Sequence, residues 1–426
     1  MEILGAFVFL FVLIFLMFAK VPIGFAIGIV SLLAFAIYDL PQQILAQRFY
    51  TGMASQTWIA IPLFIFAGTL MGCGGLSRRI VNFSDAVIGH VRGGLGITTI
   101  FSCSFFSAIS GASPATAAAI GSIMIPEMKN KQYPEKLAAG ITASGGVLGV
   151  LIPPSIILIA YGVLAEVSIA KLFMGAMIPG ALLALTMMFV TYVMARHTVP
   201  AEQTFTLTQV FVTLYRGFLS LLAPVIILGG IYLGVFTPTE SAVIAVVYGI
   251  IVGFVYRELT LRDIAEAIRS TVVTTGTLAI IWAAAASYSY VLTLSGITQN
   301  IALAITGVST EPFIVLTMIS VLVVVLGCYI NAMGMVILLT PIFVPILNAI
   351  GYDLIAFGVI FTMMCEVGYI TPPVGTNLFV VKSLCEEADI LEISRVVIPY
   401  ILALYALVLT FVVFPESILY LPNRFL

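Results

Sequence analysis

The sequence predicts an all-α polytopic membrane protein made of two inverted-topology repeats, each with five transmembrane helices plus one re-entrant hairpin and a broken helix at the midplane. Three observations predict it. The 426 residues are 62% hydrophobic and only 8% charged, against roughly 25% charged residues in a soluble domain. Ten apolar stretches approach the ~20 residues that a helix needs to cross the hydrocarbon. The chain also repeats itself: a shift of 219 superposes Ile123 on Ile342, Pro126 on Pro345, Tyr133 on Tyr352, Ile141 on Ile360, Gly149 on Gly368, and Pro153-Pro154 on Pro372-Pro373.

The stretches lie near 3-19, 22-38, 57-74, 136-164, 172-195, 217-235, 239-256, 271-293, 353-381 and 396-414. The N-terminal one lacks the basic region and small-residue cleavage site of a signal peptide, so it is expected to be retained as a span. Two further apolar regions, 94-126 and 313-348, are interrupted by Ser110-Gly111-Ala112-Ser113-Pro114 and by Asn331-Ala332-Met333-Gly334, so neither limb of either is expected to cross alone. They read as re-entrant hairpins, because irregular backbone at membrane depth survives only inside protein or beside water. Segments 40-56 and 257-270 are more polar and read as helices along the interface, with ordinary extramembrane loops as the alternative.

Lys and Arg test the topology. One orientation places Lys20, Arg78, Arg79, Arg92, Lys129, Lys131, Lys136, Arg196, Arg216, Arg257, Arg262, Arg269, Lys382 and Arg395 in the cytoplasm and only Arg48, Lys171 and Arg424 outside. Both termini then face outward. Further pairs at nearby shifts (Gly75 with Gly296, Pro22 with Pro238, Ile178-Pro179 with Ile398-Pro399) extend the repeat over most of the chain. The first repeat is read as 1-200, with hairpin 94-126 and broken helix 136-164. A cytoplasmic linker covers 201-216. The second repeat is 217-426, with hairpin 313-348 and broken helix 353-381. Five crossings per half is an odd number, so the halves are inverted.

A net charge of -2 offers no basic surface for a phosphate backbone, so nucleic acid is not an expected partner. The five cysteines (Cys73, Cys103, Cys328, Cys365, Cys385) lack metal or disulfide spacing and read as small buried hydrophobes. There is no G-x-x-x-x-G-K-[ST] loop, no G-x-S-x-G elbow and no H-E-x-x-H pair, so the chain does not read as an enzyme, and an ion gradient is the simplest energy source.

Chemistry concentrates at Leu151-Ile152-Pro153-Pro154-Ser155 and Ile370-Thr371-Pro372-Pro373-Val374-Gly375-Thr376-Asn377. Adjacent prolines remove two amide donors and leave carbonyls of the preceding turn unpaired, at a cost in hydrocarbon that a cation would offset. Carbonyls around Gly149, Ile152 and Pro154, and around Gly368, Thr371 and Pro373, are therefore two candidate sodium sites. Amides restarting each helix near Ser155 and near Thr376 and Asn377 suit an anionic substrate. The alternative is a pair of proline kinks repaired by water or hydroxyls. The hairpin tips supply the opposing wall: Ser107, Ser110, Ser113 and Thr116 from one, Gly327, Asn331 and Gly334 from the other. Glu366, an acid at membrane depth, reads either as a coupling acid beside a cation or as a neutral, hydrogen-bonded carboxyl. Thr237-Pro238-Thr239-Glu240 reads as a capping box, and His90 and His197 as interfacial residues without chemistry.

The run Phe106-Ser107-Ala108-Ile109-Ser110-Gly111-Ala112-Ser113-Pro114-Ala115-Thr116, with Ala118-Ala119-Ile120-Gly121-Ser122-Ile123, Gly149-Val150-Leu151-Ile152-Pro153-Pro154-Ser155 and Thr371-Pro372-Pro373-Val374-Gly375, resembles the large membrane subunit of tripartite ATP-independent periplasmic (TRAP) transporters. The resemblance covers essentially the whole chain. It implies an elevator-type, sodium-driven importer of small organic anions in the bacterial inner membrane, acting with a separate small four-helix membrane subunit and a periplasmic solute-binding protein. It places sodium among Ser110, Ser113, Gly149, Ile152 and Pro154 in one half, and among the second tip, Gly368, Thr371 and Pro373 in the other. Many relatives carry an acid at the second tip where this sequence has Asn331, which leaves a carboxylate or a sulfonate open as substrate. A standalone ion-coupled carrier is the alternative function.

Overall fold

A computed structural model describes residues 11–196 and 205–426, apart from 14, 17, 18, 20 and 55. Lys20, His197, parts of the expected first span and the start of the expected linker lie outside the described residues. The described residues contain no strand. In chain order the helices are α1 (Ile23–Ile37), α2 (Gln42–Met53), α3 (Ala60–Cys73), α4 (Leu76–Ile88), α5 (Gly94–Ser110), α6 (Ser113–Asn130), α7 (Glu135–Gly146), α8 (Leu148–Leu151), α9 (Ile156–Leu164) and α10 (Ile169–Ala195). They continue with α11 (Leu207–Tyr232), α12 (Pro238–Val255), α13 (Leu261–Leu294), α14 (Ile297–Val308), α15 (Pro312–Gly327), α16 (Ala332–Ala349), α17 (Leu354–Tyr369), α18 (Thr376–Lys382), α19 (Ile390–Val413) and α20 (Glu416–Phe425).

Among the described residues seven helices are long and apolar enough to cross a bilayer, and an eighth counts if Gln42–Met53 and Thr57–Cys73, bent by 56°, form one span. The stretches expected at 22-38 and 353-381 appear as shorter helices, since α1 has 15 residues and the second is divided into α17 and α18. Three segments differ in helical extent from the expectation. Residues 261–270 are not a separate interfacial helix; they are the first turns of α13, a continuous helix of 34 residues opened by a Thr260/Asp263 capping box. Residues 207–216 of the expected linker are helical because nothing in Leu207-Thr208-Gln209-Val210 interrupts α11. The second limb of hairpin 313-348 does reach crossing length, 18 residues in α16.

The sequence reading missed α4 and α14. Both are amphipathic, so neither shows an unbroken apolar run; α4 buries Leu76, Ile80, Val81 and Ser84 on one face. Each is preceded by a glycine in the left-handed region, Gly75 at φ +75° and Gly296 at φ +67°, which the repeat alignment had paired. Only glycine adopts that geometry without a steric penalty. The Thr237/Glu240 capping box forms as read from the sequence, with the Glu240 amide donating to Thr237 Oγ1 at 3.2 Å.

The two halves interlock. The limb after each proline pair packs on the hairpin of the other half: α9 against α16, and α18 against α6. Residues 135–164 form the centre, 83% of their most apolar window being buried, whereas the corresponding figure for α11 is 22%. At one end of this centre Glu135, at the start of α7, accepts from the amides of Glu386, Glu387 and Ala388 at 3.2, 2.8 and 2.7 Å. Lys129 of α6 lies 3.3 Å from the same carboxylate, and Lys136 pairs with Glu392 at 3.3 Å. Hairpin, broken span and the α18–α19 connection are thereby clasped together. The five cysteines are free thiols: Cys103 and Cys365 are buried, but Cys328 and Cys385 are only half-buried and Cys73, at the end of α3, is exposed.

Candidate functional site

The first break runs from Ile152 to Ser155 and the second from Ile370 to Gly375, and both proline pairs have a cis peptide bond. At the first, the turn between α5 and α6 lies directly on the broken span. The Ile156 amide donates to Gly111 O at 3.2 Å, so a donor freed by the break is satisfied by the hairpin tip. Ser110 Oγ and Thr116 Oγ1 are 2.7 Å apart and buried. Gly149 is the residue that allows this approach: a Cβ there would stand 2.7 Å from Ala112 O and 2.7 Å from Thr116 Oγ1. One carbonyl and two hydroxyl oxygens thus converge on a cradle with no room for a methyl group. Carbonyl and hydroxyl oxygens are hard ligands, the kind that hard cations take. On the other side of the tip, a Cβ on Gly68 of α3 would stand 3.0 Å from Ser110 Cα.

The second break repeats this arrangement. Val374 donates its amide to Cys328 O at 3.2 Å, and a Cβ on Gly368 would stand 2.6 Å from Gly327 O. The Thr371 hydroxyl donates to Val367 O at 2.6 Å, which leaves its two lone pairs as acceptors. Gly149 and Gly368, aligned by the repeat, each make a close approach to a carbonyl of the facing hairpin, Ala112 O in the first tip and Gly327 O at the last residue of α15.

The residues expected to face a substrate divide into three groups. Ser155 caps α9, accepting from the Leu158 amide at 3.2 Å, and Ser107 donates to Cys103 O at 2.5 Å, so both are engaged locally. Asn331 is exposed and caps α16, its Oδ1 accepting from the Gly334 amide at 2.8 Å. Gly334 is not at the tip, as the sequence had suggested; it sits in the first turn of α16 against Ile23. The turn itself is Cys328–Asn331, because the asparagine cap starts the helix one residue later.

Asn377 does more than the sequence indicated. Its Nδ2 donates to Ser113 Oγ at 2.9 Å and to Ala143 O at 3.0 Å, joining the second broken span to the hairpin and broken span of the first half. Its Oδ1 is buried without a hydrogen-bond partner, as are Thr376 Oγ1, Ser144 Oγ and both carboxylate oxygens of Glu366. Ser113 is thus drawn away from the Ser110/Thr116 pair toward this junction. Gly68, Ala143 and Ser144 were not anticipated. A glycine and two small residues inside apolar helices carry no signal until the packing partner is known. His90 packs edge-on against Phe205 at 5.0 Å between ring centroids.

Comparison with known proteins identifies the family. The profile "Tripartite ATP-independent periplasmic transporter, DctM component" matches residues 10–417. The isethionate TRAP transporter permease DctMQ of Oleidesulfovibrio alaskensis is 39% identical over 91% of this chain and 62% of its own length. A C4-dicarboxylate TRAP transporter large permease of Pseudomonas aeruginosa is 38% identical over 89% of both. The sialic acid large permease SiaM of Vibrio cholerae is 34% identical over 96% of this chain and 97% of its own. Among solved structures, the Alcanivorax borkumensis YdaH transporter shares the fold, with a TM-score of 0.63 at 15% identity over 86% of each chain. The profile match spans nearly the whole chain, and the chain belongs to the tripartite ATP-independent periplasmic transporter family as a DctM component, a multi-pass permease subunit.

Proposed function

We propose that this chain is the large permease of a sodium-coupled importer of a small organic anion, a carboxylate or sulfonate. It would lie in the bacterial inner membrane with both termini outside, and work with a separate small four-helix membrane subunit and a periplasmic solute-binding protein. The observation that carries the reading is the paired cradle: in each half a glycine one turn before a proline pair meets a carbonyl of the facing hairpin, and an amide beyond the pair donates to its tip. One sodium ion lies among Ser110, Thr116, Ala112 O and Gly149, with Ile152 and Pro154 beside it. A second lies among Gly327, Gly368, Thr371 and Pro373. Ion binding fixes each tip on its broken span, and the halves, related by inversion, then move as one body against the outer helices in an elevator cycle. The permeases for isethionate and for C4-dicarboxylates among the relatives favour a small anion, and the exposed Asn331 and the unpartnered Thr376 hydroxyl support a role for these two side chains in selecting it.

Reconstitution in proteoliposomes with the small subunit and the binding protein tests the reading. Uptake driven by an inward sodium gradient is the expected result. Uptake that persists without the gradient, or without the partner proteins, would overturn it in favour of a standalone carrier.

A further inference from the structure

Glu366 is the one charged side chain fully buried among the described residues. It lies in the last turn of α17, one turn before the second break, and α18 beyond that break packs on α6 and α7 of the other half. Burying a carboxylate is costly unless it is paired or neutralised, and both its oxygens lack a hydrogen-bond partner. Ser113, whose Oγ accepts from Asn377, is the polar side chain that interacts with the carboxylate. Both N–H groups of the Asn377 amide are committed, to Ser113 Oγ at 2.9 Å and Ala143 O at 3.0 Å, which fixes the amide and leaves its Oδ1 unpartnered.

We infer that Glu366, Ser113 and Asn377 form a third monovalent-cation site, lying at the junction of the two halves and distinct from the cradles at the proline breaks. The donors are a carboxylate, a hydroxyl and an amide carbonyl, hard oxygens that suit sodium. With a single carboxylate the charge balances a monovalent ion. No group of three His, Cys, Asp or Glu that would hold a divalent or transition metal occurs among the described residues. A cation here would tie the second broken span to the first hairpin. Occupancy of the junction would then be felt at both cradles through α6 and α17. This inference rests on the sodium-coupled reading above.

The test is thermal unfolding of the purified full-length chain in detergent, with sodium chloride replaced stepwise by choline chloride at constant ionic strength. Sodium is expected to raise the Tm of the wild type, since a ligand that binds only the folded state stabilises it. Glu366→Gln is an isostere of a protonated carboxyl but lacks the charge. It is expected to show a smaller and less steep sodium response. Glu366→Asp keeps the charge at a shorter reach and is expected to raise the half-saturating sodium concentration roughly 10- to 100-fold with the steepness retained. A Gln variant that responds to sodium as the wild type does would overturn the third site, because Gln would then be reproducing a neutral, protonated acid. If the Gln variant does not fold, an Asp variant with an unchanged sodium response overturns it equally. A wild type that gains nothing from sodium would instead overturn the sodium-coupled reading itself.

Discussion

Gly149→Ala is the sharpest probe of the first cradle. The added Cβ would stand 2.7 Å from both Ala112 O and Thr116 Oγ1, closer than carbon and oxygen tolerate, and neither neighbour is the free end of a flexible chain. Overpacking an ordered interior costs about 1–3 kcal/mol. If the tip relieves the clash by lifting off the broken span, that cost falls on the ion-bound geometry, and the half-saturating sodium concentration rises roughly 5- to 150-fold. The assay is sodium-dependent uptake in reconstituted proteoliposomes, with the sodium-dependent Tm of the purified chain measured in parallel. Gly276→Ala in α13 is the control, since nothing lies within 4 Å of its Cβ and its effect on either measurement should be small. A folded Gly149→Ala protein with the sodium dependence of the wild type would refute the assignment, however much its maximal rate had changed.

Gly368→Ala, whose Cβ would stand 2.6 Å from Gly327 O, is expected to weaken sodium dependence in the same uptake assay by a comparable factor. An effect at only one of the two glycines would show that the cradles are not equivalent. Glu135→Ala strips the acceptor from three amides and the partner from Lys129. It should cost about 2 kcal/mol, measured as a lower Tm, without altering the sodium concentration needed for half-saturation. Arg79 pairs with Glu258 at 2.6 Å and stacks 3.6 Å above the ring of Tyr256. Arg79→Lys keeps the charge but loses the planar stack, and should destabilise by about 0.5–1 kcal/mol in thermal unfolding. Cys73 is exposed at the end of α3, on the side that the Lys/Arg distribution assigns to the cytoplasm. With Cys328 and Cys385 replaced by alanine, a membrane-impermeant thiol reagent should label it in inverted vesicles and not in spheroplasts, and the opposite pattern would reverse the topology.

The sequence was informative where one residue type has one physical consequence. Adjacent prolines must interrupt a helix, so Pro153-Pro154 and Pro372-Pro373 located both breaks. A left-handed junction requires glycine, so Gly75 and Gly296 aligned although the helices after them went unnoticed. The sequence was less informative where a residue's role depends on what faces it. Ser107, Ser110, Ser113 and Thr116 look alike in a list. In the structure Ser107 bonds its own helix, Ser110 and Thr116 bond each other, and Ser113 turns to Asn377. Asn377 itself, 264 positions from Ser113, is a contact that no local pattern encodes. Helix limits failed for a related reason: polar residues at 261–270 mimic a loop in hydropathy, yet helical hydrogen bonding continues through them.

The two halves share their cradles but not their surroundings, and the difference bears on where an anion binds. At the first tip Ser107, Ser110, Ser113 and Thr116 are at most 3% exposed, and two backbone amides beside them are already committed. The Ile156 amide is held by Gly111 and the Leu158 amide by Ser155, so the start of α9 has little left to offer an anion despite its favourable dipole. At the second tip Asn331, Pro372, Pro373 and Val374 are exposed. Asn331 spends only its carbonyl oxygen on the cap, which leaves the Nδ2 amide as a donor, and the Thr376 hydroxyl has no partner. An anion leaving water needs donors that are uncommitted before it arrives, because displacing an internal hydrogen bond cancels the gain. On the proposed reading the first half therefore serves chiefly the ion and the second half serves both ion and substrate. Substrate preference is then set by Asn331 and Thr376, not by the serines of the first tip.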